Sequence, residues 1–190
     1  MRIIHFSDIH LGAWTRDLSA IFDKRLLGQL NYLLRRKRRL HEEYIRRAVE
    51  KIPAMHPDIV VCSGDITCVG SPEEFRKAIG LLRPFVDHEE FDFLYVPGNH
   101  DAYVRKKECR ASLEQAFHAL NKRRWRIGDL PVVLTYGDVQ VFLLNECSPT
   151  SIVSSAGRLS DASKQALAAH LSKPRTANAV RILVGHFPPC

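Results

Sequence analysis

The chain has 190 residues, 45% hydrophobic and 26% charged, ordinary globular material and long enough for one domain with a buried two-layer core. Its 28 Lys and Arg against 21 Asp and Glu give a net charge of +7, which favours anionic partners (phosphates, nucleic acid, an acidic membrane surface) without choosing among them. Five cysteines without a CxxC pair argue against a disulfide framework or zinc knuckle. The apolar run Ile3 to Phe6 is far short of a signal-peptide core and no stretch approaches the ~20 apolar residues of a membrane span, so a cytoplasmic chain is expected.

In chain order, the first apolar run is Arg2 to Phe6, a strand by length and composition. Residues 16 to 39 follow, with Leu18, Ile21, Phe22, Leu26, Leu27, Leu30, Leu33 and Leu34 at roughly helical spacing before Arg35-Arg36-Lys37-Arg38-Arg39. That segment reads as an inserted basic amphipathic helix. A helix near residues 40 to 52 leads to a strand at Asp58 to Cys62. Ser71-Pro72-Glu73-Glu74 then predicts a helix start, with Ser71 as cap, Pro72 at the first helical position and Glu74 closing a capping box. Further strands are expected at Phe91 to Val96, Val132 to Tyr136, Val139 to Leu144 and Val180 to Val184. Gly137-Asp138 makes a tight antiparallel hairpin between the fourth and fifth strands. Helices are expected near 107 to 121 and from a Ser160 cap to Leu171. His5, Trp14 and Trp125 read as packing residues. Lys122-Arg123-Arg124-Trp125-Arg126 mixes basic and aromatic residues in a way compatible with nucleic acid and equally with a solvated loop.

Four polar motifs each follow the carboxyl end of an apolar strand: Ser7-Asp8-Ile9-His10, Gly64-Asp65, Gly98-Asn99-His100-Asp101 and Gly185-His186. Ligands bind at that edge of α/β sheets, and four strands in one sheet would gather Asp8, His10, Asp65, Asn99, His100 and His186. Taken singly each motif is weak, because Gly-Asp is usually a turn and an isolated buried histidine is usually a core residue. Their joint occurrence at strand ends changes the odds. Carboxylate, amide oxygen and imidazole without cysteine suit Mn, Fe or Zn ions open to substrate and water. A carboxylate such as Asp65 can bridge two cations ~3.5–4 Å apart.

In order and context these motifs resemble the signature of calcineurin-like metallophosphoesterases, with Val96-Pro97-Gly98-Asn99-His100-Asp101 the most specific piece. The resemblance implies an α/β fold of four layers, two mixed β-sheets face to face with helices outside (αββα), and a centre of two divalent metal ions. Carried over by position, Asp8 and His10 hold one metal, Asp65 bridges, and Asn99 and His186 hold the second. His100 is then a catalytic residue that contacts the phosphate and helps the alkoxide leave, with Asp101 orienting its ring. Cys68 stands where the protein Ser/Thr phosphatases and DNA-repair nucleases of this superfamily place another acid. Gly64-Asp65-Ile66-Thr67, the following Gly70-Ser71-Pro72-Glu73-Glu74-Phe75 and Gly157-Arg158-Leu159 look more like the bacterial cyclic-nucleotide phosphodiesterase branch. The family's closing Gly-His-x-His does not follow Pro188-Pro189-Cys190, so residues 1 to 190 are expected to be a single domain truncated before that motif.

The expected function is metal-dependent hydrolysis of a phosphodiester, phosphomonoester or pyrophosphate bond in a phosphorylated small-molecule or lipid-linked substrate. One alternative is a non-catalytic scaffold of the same fold with an incomplete metal site. Another is a hydrolase of a lipid-linked substrate such as UDP-diacylglucosamine, with residues 16 to 39 resting on an anionic membrane as a peripheral contact.

Overall fold

The computed structural model describes residues 1–13, 42–147, 157–174 and 179–187. The basic segment at 16 to 39, Trp14 and Cys190 lie outside the described residues.

Among the described residues, six strands form two three-stranded sheets. The first contains β1 (Ile3–Phe6), β2 (Ile59–Cys62) and β3 (Asp92–Tyr95) in that order, all parallel, with Ile3 opposite Ile59 and Ile59 opposite Asp92. Its central strand is wholly buried, which is why Ile59-Val60-Val61-Cys62 is continuously apolar. The second sheet is mixed. In it β4 (Val132–Tyr136) pairs antiparallel with β5 (Val139–Leu143), and β5 pairs parallel with β6 (Val180–Val184). Gly137, at φ +57°, makes the expected hairpin turn at a conformation glycine adopts without steric cost.

Alternation along β5 defines the layers. Val141 and Leu143 join Val184 in the large core shared with the first sheet. Phe142, with Leu144 just beyond the strand, faces the other way to a small cluster with Leu167 of α4 (Asp161–Leu171). On the far side of the first sheet lie α1 (Glu42–Lys51), α2 (Pro72–Val86) and α3 (Lys107–Leu120), which contribute Ile45, Phe75, Ala78, Leu82, Phe85, Ala116, Phe117 and Leu120 to the same core. The αββα layering is therefore present.

The helix ends follow their local chemistry. Ser71 Oγ accepts from Glu74 N at 3.3 Å while the Glu74 carboxylate accepts from Ser71 N at 3.2 Å, with Pro72 at the first position, as the sequence predicted. Ser160 caps α4 by accepting from Ser163 N. Asn121, at the end of α3, is fully buried; its amide accepts from Tyr95 N and donates to Tyr95 O, both at 3.0 Å. It thereby satisfies the β3 edge where a further strand would pair.

Three expectations need correction or filling in. His5 is exposed and bonds Ser63 Oγ at 2.7 Å, because β1 is an edge strand and alternation turns this residue out of the core. Trp125 packs against the core as expected, with Arg124 over its ring at 4.4 Å. The neighbouring cations Lys122 and Arg124 pair with Asp92, and Arg126 lies 3.9 Å from Glu114. That stretch is a turn braced by Asp92 at Lys122 and Arg124 and by Glu114 at Arg126. Cys62, Cys68, Cys109 and Cys147 form no disulfide.

Candidate metal centre

The first sheet delivers three of the four motifs side by side because its strands are parallel and in register. The β1 loop is zipped along the β2 loop by Asp8 N to Gly64 O (3.1 Å), His10 N to Asp65 O (2.9 Å) and Leu11 N to Ile66 O (2.9 Å). Asp8, His10 and Asp65 all take positive φ (59°, 43° and 55°), a region disfavoured for residues with a Cβ and held here by the surrounding bonds. Space is tight as well. A Cβ on Gly64 would lie 2.6 Å from Gly98 Cα, and one on Gly98 would lie 2.8 Å from Asp65 Cγ. The β2 and β3 loops are thus in backbone contact, which only glycine allows.

The fourth motif does not come from the same sheet, contrary to the one-sheet arrangement expected from sequence. Gly185-His186 follows β6 in the second sheet, and His186 reaches across so that its Nδ1 bonds Ser63 O at 2.8 Å.

Asp65 is the junction. It is 2% exposed; its Oδ1 accepts from His100 N at 2.8 Å. Its Oδ2 lies 3.7 Å from His10 Nε2 and 3.6 Å from His186 Nε2. Asp8 Oδ1 lies 3.5 Å from His10 Nε2, and Asn99 Oδ1 lies 3.0 Å from His186 Nε2. Two groups of donor atoms converge, His10 with Asp65 and His100, and Asp8 with Asp65 and His186, each with its atoms within 4.8 Å of one another. Asp65 belongs to both.

One loop sets the tautomers. His186 Nδ1 faces Ser63 O, His10 Nδ1 faces Thr67 O at 3.3 Å, and His100 Nδ1 faces Cys68 O at 2.6 Å. A backbone carbonyl only accepts, so each Nδ1 carries hydrogen and each neutral ring presents the Nε2 lone pair. On His10 and His186 those lone pairs point at carboxylate and amide oxygens. Acceptors facing acceptors are satisfied by a cation between them, and a histidine held through its other nitrogen by a carbonyl is a usual metal-ligand arrangement. Burial, followed by the Asp101 charge, pushes the Asp65 carboxyl up to about 7 despite relief from His186 and the His100 amide. Uncompensated negative charge of this kind also suits divalent ions. The residues present fit the group.

Asp101 has a different place from the one expected. Its carboxylate accepts from Thr67 N (2.9 Å), Thr67 Oγ1 (2.8 Å), Tyr95 OH (2.9 Å), Gly98 N (3.0 Å) and Ile66 N (3.4 Å). The His100 ring is held instead by the Cys68 carbonyl, with Tyr103 stacked 5.6 Å away and His10 edge-on at 4.7 Å. Asp101 ties the β2 and β3 loops together. Cys68, three residues after Asp65, thus contacts the His100 ring through its backbone carbonyl.

Ser63, Thr67, Tyr95 and Glu146 also build the site. Ser63 and Thr67 flank Gly64-Asp65 and were discoverable by adjacency. Tyr95 sits inside an apolar strand, and Glu146 lies in a stretch that carries no motif.

The chain belongs to the calcineurin-like phosphoesterases, whose family model matches residues 1–189. Two bacterial phosphodiesterases are similar to it. The cAMP/cGMP dual specificity phosphodiesterase of Mycobacterium tuberculosis (strain CDC 1551 / Oshkosh) is 31% identical over 111 residues, 55% of this chain and 29% of that protein. Glycerophosphodiester phosphodiesterase GpdQ of Enterobacter lignolyticus (strain SCF1) is 31% identical over 109 residues, 53% of this chain and 30% of that protein. The match spans under a third of either relative's length. Both agree with the bacterial phosphodiesterase branch expected from the motifs.

Proposed function

We propose that this chain carries the catalytic site of a metal-dependent phosphodiesterase, with Asp8, His10, Asp65, Asn99 and His186 as ligands of two divalent ions. Bound ions supply an activated water nucleophile and neutralise charge on the phosphoryl oxygens. The observation that carries the reading is Asp65, whose Oδ1 is tied to His100 N while Oδ2 sits between His10 and His186.

The protein's own groups do the rest. Asp65, fixed through one oxygen, keeps the other aimed at both histidines, so little reorganisation accompanies reaction. His100 presents Nε2 beside His10 and, when protonated, donates to the departing alkoxide. Cys68 O and Tyr103 hold the ring for that transfer. A phosphodiester is favoured over other esters because both relatives are named phosphodiesterases. No helix among the described residues is long and apolar enough to cross a membrane.

The test is hydrolysis of bis-p-nitrophenyl phosphate with Mn, Fe or Zn added, using protein shown to be folded by circular dichroism. Turnover that depends on metal and disappears in Asp65→Asn supports the reading. Folded protein that turns over nothing with any divalent metal overturns it.

A further inference from the structure

His186 comes from the second sheet, so something must fix the loop that aims it at the first. Ser63 O anchors the ring, but the backbone carrying it needs its own brace. Glu146 supplies one. Its Oε2 accepts from Phe187 N at 3.0 Å. The carboxylate also lies against the Gly185 α-carbon, where an added Cβ would sit 2.7 Å from Glu146 Cδ and 3.1 Å from Oε1. The carboxylate thus bonds the residue after His186 and lies against the one before it. Glu146 is in turn seated by its main chain, since its carbonyl accepts from Arg158 N at 2.9 Å. Glycine recurs on the other side of the turn, because a Cβ on Gly157 would run into the Phe187 ring, 2.9 Å from its Cβ.

The consequence is geometric. β5 and β6 pair in parallel, with Leu143 opposite Val184 and Leu144 N bonded to Val184 O at 2.9 Å. The chains leaving these strands therefore run together: Asn145-Glu146 beside Gly185-His186. A glutamate three residues beyond the last β5 pair reaches the neighbouring loop because the two strands are paired. A side chain at 185 would displace that carboxylate and rotate the loop that aims His186.

We propose that Glu146 is a positioning residue for His186. It acts through the 185–187 turn, and its role is to keep His186 Nε2 facing Asp65 Oδ2 and Asn99 Oδ1. The proposal rests on His186 being a metal ligand. Glutamate is needed only as an acceptor at that spot, so Glu146→Gln, whose amide oxygen accepts from Phe187 N equally well, is the conservative control. Glu146→Ala removes the acceptor.

The experiment is Mn binding by isothermal titration, run beside steady-state kinetics and thermal melts, on wild type, Glu146→Ala, Glu146→Gln, Gly185→Ala and the Gly185→Ala/Glu146→Ala pair. Loss of a residue that orients a metal ligand typically lowers affinity 10- to 100-fold. Glu146→Ala should weaken one of the two binding events about 10-fold or more and lower kcat, with KM nearly unchanged. Glu146→Gln should stay within about 3-fold of wild type. Gly185→Ala should weaken the same event, and adding Glu146→Ala should cost little more, because both changes break one contact. Unchanged Mn affinity in folded Glu146→Ala, equal loss in Glu146→Gln, or fully additive losses in the pair would overturn the proposal. Should Glu146→Ala fail to fold, Glu146→Gln and Gly185→Ala still decide it, since wild-type Mn affinity in Gly185→Ala refutes the coupling. His186→Ala separates the two levels of argument: wild-type Mn binding in that variant would remove the metal reading itself.

Discussion

Replacing Asp101 tests whether this acid braces the loops or orients a catalytic ring. Asp101→Ala strands its donors in a site that is 2% exposed. The hydroxyls of Thr67 and Tyr95 can rotate toward other partners, and Ile66 N, at 3.4 Å, is weakly held. The amides of Thr67 and Gly98, at 2.9 and 3.0 Å, cannot rotate. An unsatisfied buried donor costs about 1–3 kcal/mol. Losing the buried carboxylate returns part of its desolvation cost, and Asp101 helps to line a cavity of about 250 Å³ from which water can enter the space it leaves. The net expectation is a loss of about 3 kcal/mol. With a urea slope of about 2 kcal/mol/M, that moves the denaturation midpoint down by roughly 1.5 M. Urea titration followed by circular dichroism measures it, with Tyr95→Phe as a control that loses one hydroxyl and should cost only about 1 kcal/mol. A midpoint unchanged in Asp101→Ala, with turnover alone reduced, would refute the brace and restore the ring-orienting role.

Other outcomes follow from the same geometry. Glu74 is 1% exposed and burial pushes its carboxyl from 4.5 up to about 7, against the amides of Val69, Ser71 and Ala13 that favour the charge. A raised carboxyl stabilises the fold fully below its unfolded value and loses that contribution as pH rises from 4.5 to 7. The stability difference between wild type and Glu74→Gln should therefore drift against wild type by about 3 kcal/mol across that window; parallel stability curves would contradict it. Asp65→Asn should abolish turnover and lower bound metal to one ion or none, whereas His100→Asn should cut turnover at nearly full metal content, read by atomic absorption. Equal metal loss in both would dismiss the division of roles. Gly98→Ala, with its Cβ 2.8 Å from Asp65 Cγ, should lose most activity and about 2 kcal/mol or more of stability, and a variant with wild-type turnover would show that the loops have slack.

The strands and helices were legible because each carried a local signal: β-branched runs bounded by turns, a capping box at Ser71, a hairpin at Gly137-Asp138. The four site motifs were legible for a similar reason, each being a short polar break after an apolar strand. Which sheet each strand joins was not. Val180 to Val184 reads like any other short strand, and its pairing with β5 is set by tertiary packing of Val141, Leu143 and Val184 against the first sheet. Sequence adjacency of Asp101 to His100 suggests contact, whereas the chain turns at 98 to 101 and sends the carboxylate back toward Thr67 and Tyr95. Backbone carbonyls that orient histidines leave no trace in residue identity at all. Glu146 was invisible because the contact it makes belongs to loop geometry.

The bond between His186 and Ser63 joins residues 123 positions apart, the kind of closure that forms late because much chain must already be ordered around it. A folding intermediate with only β1, β2 and β3 assembled would own Asp8, His10, Asp65 and Asn99 yet lack the histidine that arrives with β6. Hydrolytic competence would then appear only with the docking of one sheet on the other. Activity recovered during refolding would trail the secondary-structure signal, and would serve as a kinetic marker for the moment the two halves of the molecule meet.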